Sequence, residues 1–203
     1  DIEEQLARTV MRRALVGNSA APLHKALIES GLGEAIISSA IELSQPVLNF
    51  GLRGADGDDE QPGNGRIAQA PAPDTLAPLA EHGIDDATIE ATLNSLEFEL
   101  REQNTGGYPR GIAYFFGALS NWLYGGDPLD GLRFETALAS LKARIASGEK
   151  VIEGLIRANL LDNTHRTTLV LRPDPEQAER EEAAERARLD AARAAMNDND
   201  ITA

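Results

Sequence analysis

Apolar residues return at every fourth position from the start of the chain, at Ile2, Leu6, Val10 and Ala14 with Leu15 beside the last, and Glu and Arg fill the positions between. That spacing predicts a helix with one buried face over residues 2–16, ended by Gly17-Asn18. Ser19 can cap a second helix and Pro22 fits its first turn. Leu23, Ala26 and Leu27 give that helix a face before Gly31 and Gly33 stop it, so the chain opens as a helix hairpin. The period then changes. Residues 34–43 (EAIISSAIEL) and 47–53 (VLNFGLR) predict two strands, the second with Leu48, Phe50 and Leu52 alternating against Val47, Asn49 and Gly51. The Ser44-Gln45-Pro46 turn joins them as an antiparallel pair.

Helical spacing resumes downstream. A short helix is expected over 75–81, then a longer one from a cap at Asp85, with Ile84 and Ile89 placed as a hydrophobic staple and Ile89, Leu93, Leu96 and Leu100 on one face to about Glu102. Residues 107–128 (GYPRGIAYFFGALSNWLYGGDP) hold all three tyrosines, the only tryptophan and two of the five phenylalanines. Pro109 suits a first turn, Gly125-Gly126 a stop and Pro128 forbids continuation. Because Ile112, Phe115, Phe116, Leu119, Trp122 and Leu123 cover more than a narrow stripe, this helix is expected to be the central packing element, enclosed on several sides. Helices follow over 131–147 and 149–161, and a strand over 165–172 (HRTTLVLR) that Pro173 ends. Residues 176–196 are nearly pure Ala, Glu and Arg, a helix by propensity and by pairs such as Glu182 to Arg186, with only a thin apolar seam. The fold class predicted is α+β, helices packed on one face of a mainly antiparallel sheet plus a C-terminal charged helix.

Composition narrows the partners. A chain of 203 residues suffices for one sizeable core, and its formal charge of −14 sets it against nucleic acid and anionic membrane, which would repel it at long range. No run approaches the roughly 20 apolar residues of a membrane span. With no cysteine, disulfides, thiolate nucleophiles and thiolate metal sites are all excluded. The chain begins without Met and without a signal-like segment, running directly into an amphipathic pattern, which reads as an excerpt of something longer; lacking an export signal, it is placed by default in the cytoplasm.

Catalytic strings are missing. His24, His82 and His165 stand alone in their elements, and neither H-E-x-x-H nor H-x-x-E-H occurs. There is no G-x-S-x-G elbow, no phosphate-cradling loop and no dinucleotide fingerprint after a strand. Glu97 and Glu99 could be imagined as a general acid and base, but two residues apart on a helix they face different sides, and a solvated face is the better reading. Asp56, Asp58 and Glu60 start like a calcium loop, yet Gln61 and Ile67 replace the glycine and glutamate that such a loop needs. The expected catalytic, cofactor-binding and metal-ligating residues of this chain are therefore none.

The order of segments nevertheless resembles a known family. ALVGNSAAPLHKALIESGLG (14–33), VLNFGLRG (47–54), IEATLNSLEFELRE (89–102), the stretch 108–128 and HRTTLVLRPDP with its charged helix are similar to the presequence-protease branch of the insulinase-type zinc metallopeptidases. PLHKALIESGLG is the most specific part. The resemblance implies a clamshell of four related domains closing around unfolded peptides, with zinc and its H-x-x-E-H helix in the first domain, outside this chain. It further implies that residues 1–173 are the non-catalytic second domain, missing a first strand and so left with an edge prone to pairing between chains, and that 174–203 are the first arm of a linker hairpin. On this reading the chain's partners are the other domains of its parent and an unfolded peptide substrate. By itself it cleaves nothing. The Pro-rich stretch 71–78 departs from the more continuous helix expected of relatives, and 55–64 matches no motif. A scaffold whose parent has lost the zinc motif is the alternative, and an adaptor binding partner helices through 176–196 is a third.

Overall fold

The computed structural model describes residues 1–41, 45–54, 71–102, 106, 107, 109–167, 169, 171 and 173–196, the side chains of 71–73 excepted. The calcium-like residues Asp56, Asp58 and Glu60 lie outside these. Contacts divide the chain into two units, Asp1–Thr168 and Leu169–Ala203.

The first unit is built around its opening helix. In α1 (Ile2–Val16) the Asp1 carboxylate accepts a hydrogen bond from the Glu3 N–H at 3.0 Å, and Glu3 and Glu4 complement the helix dipole in the first turn. The buried set is Leu6, Ala7, Val10, Met11, Ala14, Leu15 and Val16, and Val10, Met11, Ala14 and Leu15 are wholly inaccessible. That face is wide enough to meet several neighbours. α1 packs on α2 (Pro22–Glu29), α4 (Asp86–Glu102), α6 (Glu135–Ala146) and α7 (Val151–Leu155), the last continuing as one wide π turn over Ile156–Leu161. α3 (Pro71–His82) closes the other side of α2 and packs on α7, adding Leu76 and Ala80 to the core.

The hairpin appears as the alternation predicts. β1 (Ala35–Ile41) pairs antiparallel with β2 (Val47–Arg53), in the register Ile36↔Leu52, Ser38↔Phe50 and Ala40↔Leu48 on one face. Ile36, Leu48, Phe50 and Leu52 pack against the helical core, while Ile37, Ile41 and Val47 are exposed on the other face. Asn49 donates to the Ser39 hydroxyl at 3.1 Å across the exposed side. The fold is α+β, helices on one face of a small antiparallel sheet.

Four expectations change. The aromatic helix α5 (Arg110–Trp122) has no buried residue, so it is not the central element; α1 holds that place. Its physical reason lies in how α5 is turned. It packs on the 3-10 turn Asp130–Leu132 with its small side, where a Cβ on Gly131 would come within 2.9 Å of the Gly117 carbonyl and one on Gly117 within 3.3 Å of Leu132. The apolar side faces away. Second, no strand forms at the described residues from His165 to Leu171, where Leu169 and Leu171 are 77% and 85% exposed; β-propensity without a ladder partner does not make a strand. Third, helix begins at Pro71 rather than near 75 and runs through Pro78, so the Pro-rich departure does not break it. A proline near the start of a helix is tolerated, and burial of Leu76 and Ala80 offsets the bond lost at Pro78. Finally, the helix expected over 149–161 starts at Val151 and widens into the π turn.

The second unit is α8 (Gln177–Ala195), exposed along its length. Arg186 donates to Glu182 at 2.7 Å, as the spacing predicts, and Arg180 pairs with Asp174 and Glu176.

Candidate functional site

Among the described residues the histidines stand on separate elements. His24 lies on α2, His82 at the end of α3 and His165 in the segment after the π turn. Among the described residues no three His, Asp or Glu are grouped to hold a metal ion.

The two carboxylates weighed as acid and base are ion-paired in opposite directions. Arg13 of α1 forks onto Glu99 of α4 at 2.8 and 2.6 Å. Glu97 takes Arg101 at 2.7 Å on its own helix and Lys142 from α6. Hydrogen bonds from Arg13 hold the Glu99 carboxyl below its ordinary range, and those from Lys142 and then Arg101 do the same to Glu97. Neither is poised near neutrality, as a general acid would have to be. A third tie, Glu3 of α1 to Arg144 of α6, is shared with Glu149; hydrogen bonds from Ser140 and Arg144 lower Glu3, and those to Glu149 and Glu3 raise Arg144. Helices α1, α4 and α6 are thus stitched at their solvent edge above the core they share. This is structural electrostatics.

At the start of α4, Asp85 accepts from the Thr88 N–H at 2.9 Å and the Thr88 hydroxyl at 2.8 Å, while Ile84 and Ile89 both join the core. The predicted cap is in place, and the Thr88 bonds keep its carboxyl low.

Two clefts open on the first unit. One, of about 440 Å³, runs along β2 with a floor of Leu23, Leu27, Leu48 and Phe50 and cationic or neutral groups such as His165 and Arg166 at its edge. Among the described residues no carboxylate lines it. The other, about 370 Å³, lies between the start of α1 and the end of α5, lined by Asp1, Glu4, Arg8, Asn121 and Tyr124 among others. Glu4 there pairs with Arg8 at 2.9 Å.

The feature that sequence reasoning misplaced is the surface of α5. The residues of the helix that are largely covered are Ala113, Gly117, Ala118, Leu119, Ser120 and Asn121. Ile112, Phe115, Phe116 and Leu123 remain 43–67% exposed, with Tyr114, Trp122 and Tyr124 beside them. The signal that could have found this is the small, polar opposite side, Ala113, Gly117, Ser120 and Asn121, which is the side able to approach another backbone closely.

No protein-family model matches the chain. Among curated proteins it is 42% identical, over 205 aligned residues, to "Presequence protease 1, chloroplastic/mitochondrial" of Arabidopsis thaliana, an alignment covering 99% of this chain and 18% of that protein. It is 35% identical over 175 residues to "Protein HypA" of Clostridium perfringens, covering 86% of this chain and 17% of that protein. "Presequence protease, mitochondrial" of Danio rerio is 25% identical over 192 residues, 93% of this chain and 18% of that protein. The chain thus spans under a fifth of the length of these relatives. The cytoplasmic expectation is overturned by these findings: presequence proteases similar to the chain are named chloroplastic/mitochondrial and mitochondrial. With matches of this extent and kind, the chain is homologous over nearly its whole length to one segment of presequence proteases.

Proposed function

We propose that the chain is the non-catalytic second domain, residues 1–173, and the first linker arm, residues 174–203, of a zinc-dependent endopeptidase that encloses unfolded peptides. Its part is to wall the chamber and pack the domains, and alone it cleaves nothing. The observation that carries this reading is the near-complete alignment of the chain to less than a fifth of a presequence protease. The absence of H-x-x-E-H from the sequence and the placement of the three histidines on different elements support placing the metal chemistry elsewhere in the parent. What these residues contribute is shape: the ion-paired α1, α4 and α6 and the sheet packed beside them form a stiff support.

The test compares zinc content and cleavage of an unfolded peptide for the full-length parent and this chain. Stoichiometric zinc and cleavage in the parent alone are expected. Zinc and activity in neither would replace this reading with that of a scaffold, and activity in this chain alone would overturn the argument from missing motifs.

A further inference from the structure

We propose that the cleft along β2 receives the C-terminal end of an extended peptide, whose backbone pairs with the open edge of the strand and whose terminal carboxylate meets Arg166 and His165. This names a binding site within the peptide-enclosing reading above and rests on it.

Antiparallel pairing with β1 occupies one side of β2, and among the described residues no strand lies on its other side. That open side borders the cleft of about 440 Å³, since the run from Gln45 to Gly51 lines it without a break and no described residue of β1 does. At about 3.4 Å per residue the run offers roughly 20 Å of strand edge, the template that strand addition uses. Leu23, Leu27 and Leu76, each nearly inaccessible, form an apolar floor on which alternate side chains of an added strand can rest.

The opposite bank is the exit of the π turn Ile156–Leu161. Arg166 donates through Nε to the Asn163 carbonyl and through Nη2 to the Leu161 carbonyl, both at 3.0 Å, and the His165 N–H donates to Asn163 Oδ1 at 2.8 Å. These bonds tie the bank and keep both basic side chains at its rim. Asn159, inside the π turn, also lines the cleft, and its buried Nδ2 has no acceptor among the described residues. A peptide carbonyl laid along the bank would supply one, and wide turns of this kind recur at functional positions.

Charge chooses the occupant. The chain carries a formal −14, yet among the described residues the cleft has no carboxylate, and Arg8, its other arginine, already pairs with Glu4. The group that complements the rim is a free carboxylate, and every free peptide ends in one whatever its sequence. A second copy presenting its own β2 would bring a second Arg166 to the same slot, like charge against like.

The experiment uses the full-length parent with its metal removed by chelation, so that no peptide is consumed, and an N-terminally labelled hexapeptide alternating valine and threonine, as free acid and as C-terminal amide. Fluorescence anisotropy should show the acid binding tenfold or more tighter than the amide, and hydrogen exchange should slow in residues 47–51 when the acid binds. Arg166→Gln should erase the preference for the acid. Because Arg166 also ties the bank, His165→Gln is the second variant: His165 ties it through its backbone N–H alone, and its loss should narrow the preference while exchange in α1 is unchanged. Asn159→Leu should weaken acid and amide alike. Equal binding of acid and amide, or binding that leaves exchange at 47–51 unchanged, overturns the proposal. So does slow exchange there in the peptide-free parent that the peptide does not alter, since a strand of the parent would then fill the slot, and so does a dimer whose formation protects 47–51 in place of the peptide. Zinc and cleavage assays on the untreated parent separate the two readings: a parent without zinc or activity that still prefers the acid loses the enzymatic reading and keeps this one, and an active parent without the preference loses only this one.

Discussion

Leu15 and Phe116 decide between a chain organised around α1 and one organised around the aromatic helix. Leu15 is wholly inaccessible and Phe116 is 58% exposed. Truncating a fully buried leucine to alanine removes its transfer free energy and leaves a cavity, a loss of about 3 kcal/mol. Phe116 has only about two-fifths of its surface covered, and full burial of such a side chain is worth about 1.5–3 kcal/mol, so Phe116→Ala should cost about 1 kcal/mol in the isolated chain. Were α5 the enclosed centre, the order would invert, because Phe→Ala in a core costs about 3–5 kcal/mol. Urea unfolding followed by helical circular dichroism, with slopes compared to verify that the unfolded state is unchanged, measures both. Equal losses, or a larger one at Phe116, would refute the placement of the core.

Three further expectations come from particular contacts. Glu3, Glu97, Glu99 and Glu149 are all held below the ordinary glutamate value of 4.5, so their contribution to stability is present above that pH and is lost as pH falls through their lower folded values. The urea midpoint should be level above about pH 5 and decline below 4.5, less steeply in Glu97→Gln, Glu99→Gln; a midpoint that rises on acidification contradicts the ion-pair account. Gly83, between α3 and α4, has φ +90° and an added Cβ would sit 2.7 Å from a Glu153 carboxylate oxygen, so Gly83→Ala should lower stability by about 1–2 kcal/mol in a thermal melt. Pro78 sits exposed inside α3 without an N–H to donate, and Pro78→Ala should stabilise by about 1–3 kcal/mol, with a fall in the melting temperature counting against the helix as drawn.

What could be read in advance follows from where local and tertiary forces agree. The i, i+4 spacing in α1 and α4, the Asp85 cap and the period of two in β2 are local patterns that tertiary packing reinforces, so these elements and the antiparallel hairpin were legible. The strand at 165–172 was read from propensity alone. It required a partner edge, which propensity does not supply. Pro71 and Pro78 signalled a break because helix propensity penalises them, and packing of Leu76 and Ala80 against neighbours distant in sequence outweighed the penalty. The angular separation of Glu97 and Glu99 is a local pattern, but Arg13 and Lys142, their partners on other helices, could not be found from spacing.

The aromatic helix shows a different limit. A strong apolar face states that something must cover it, not that the covering comes from the same unit. α8 makes the contrast clear: it too is exposed throughout, yet its surface is Ala, Glu and Arg, stabilised by pairs such as Glu182–Arg186, and water is an adequate neighbour for it. Water is a poor neighbour for Ile112, Phe115, Phe116 and Leu123. Around α1 the first unit already has a core of some twenty buried apolar residues, to which α5 adds none. The aromatic residues that composition picks out as the centre of this chain lie outside its core.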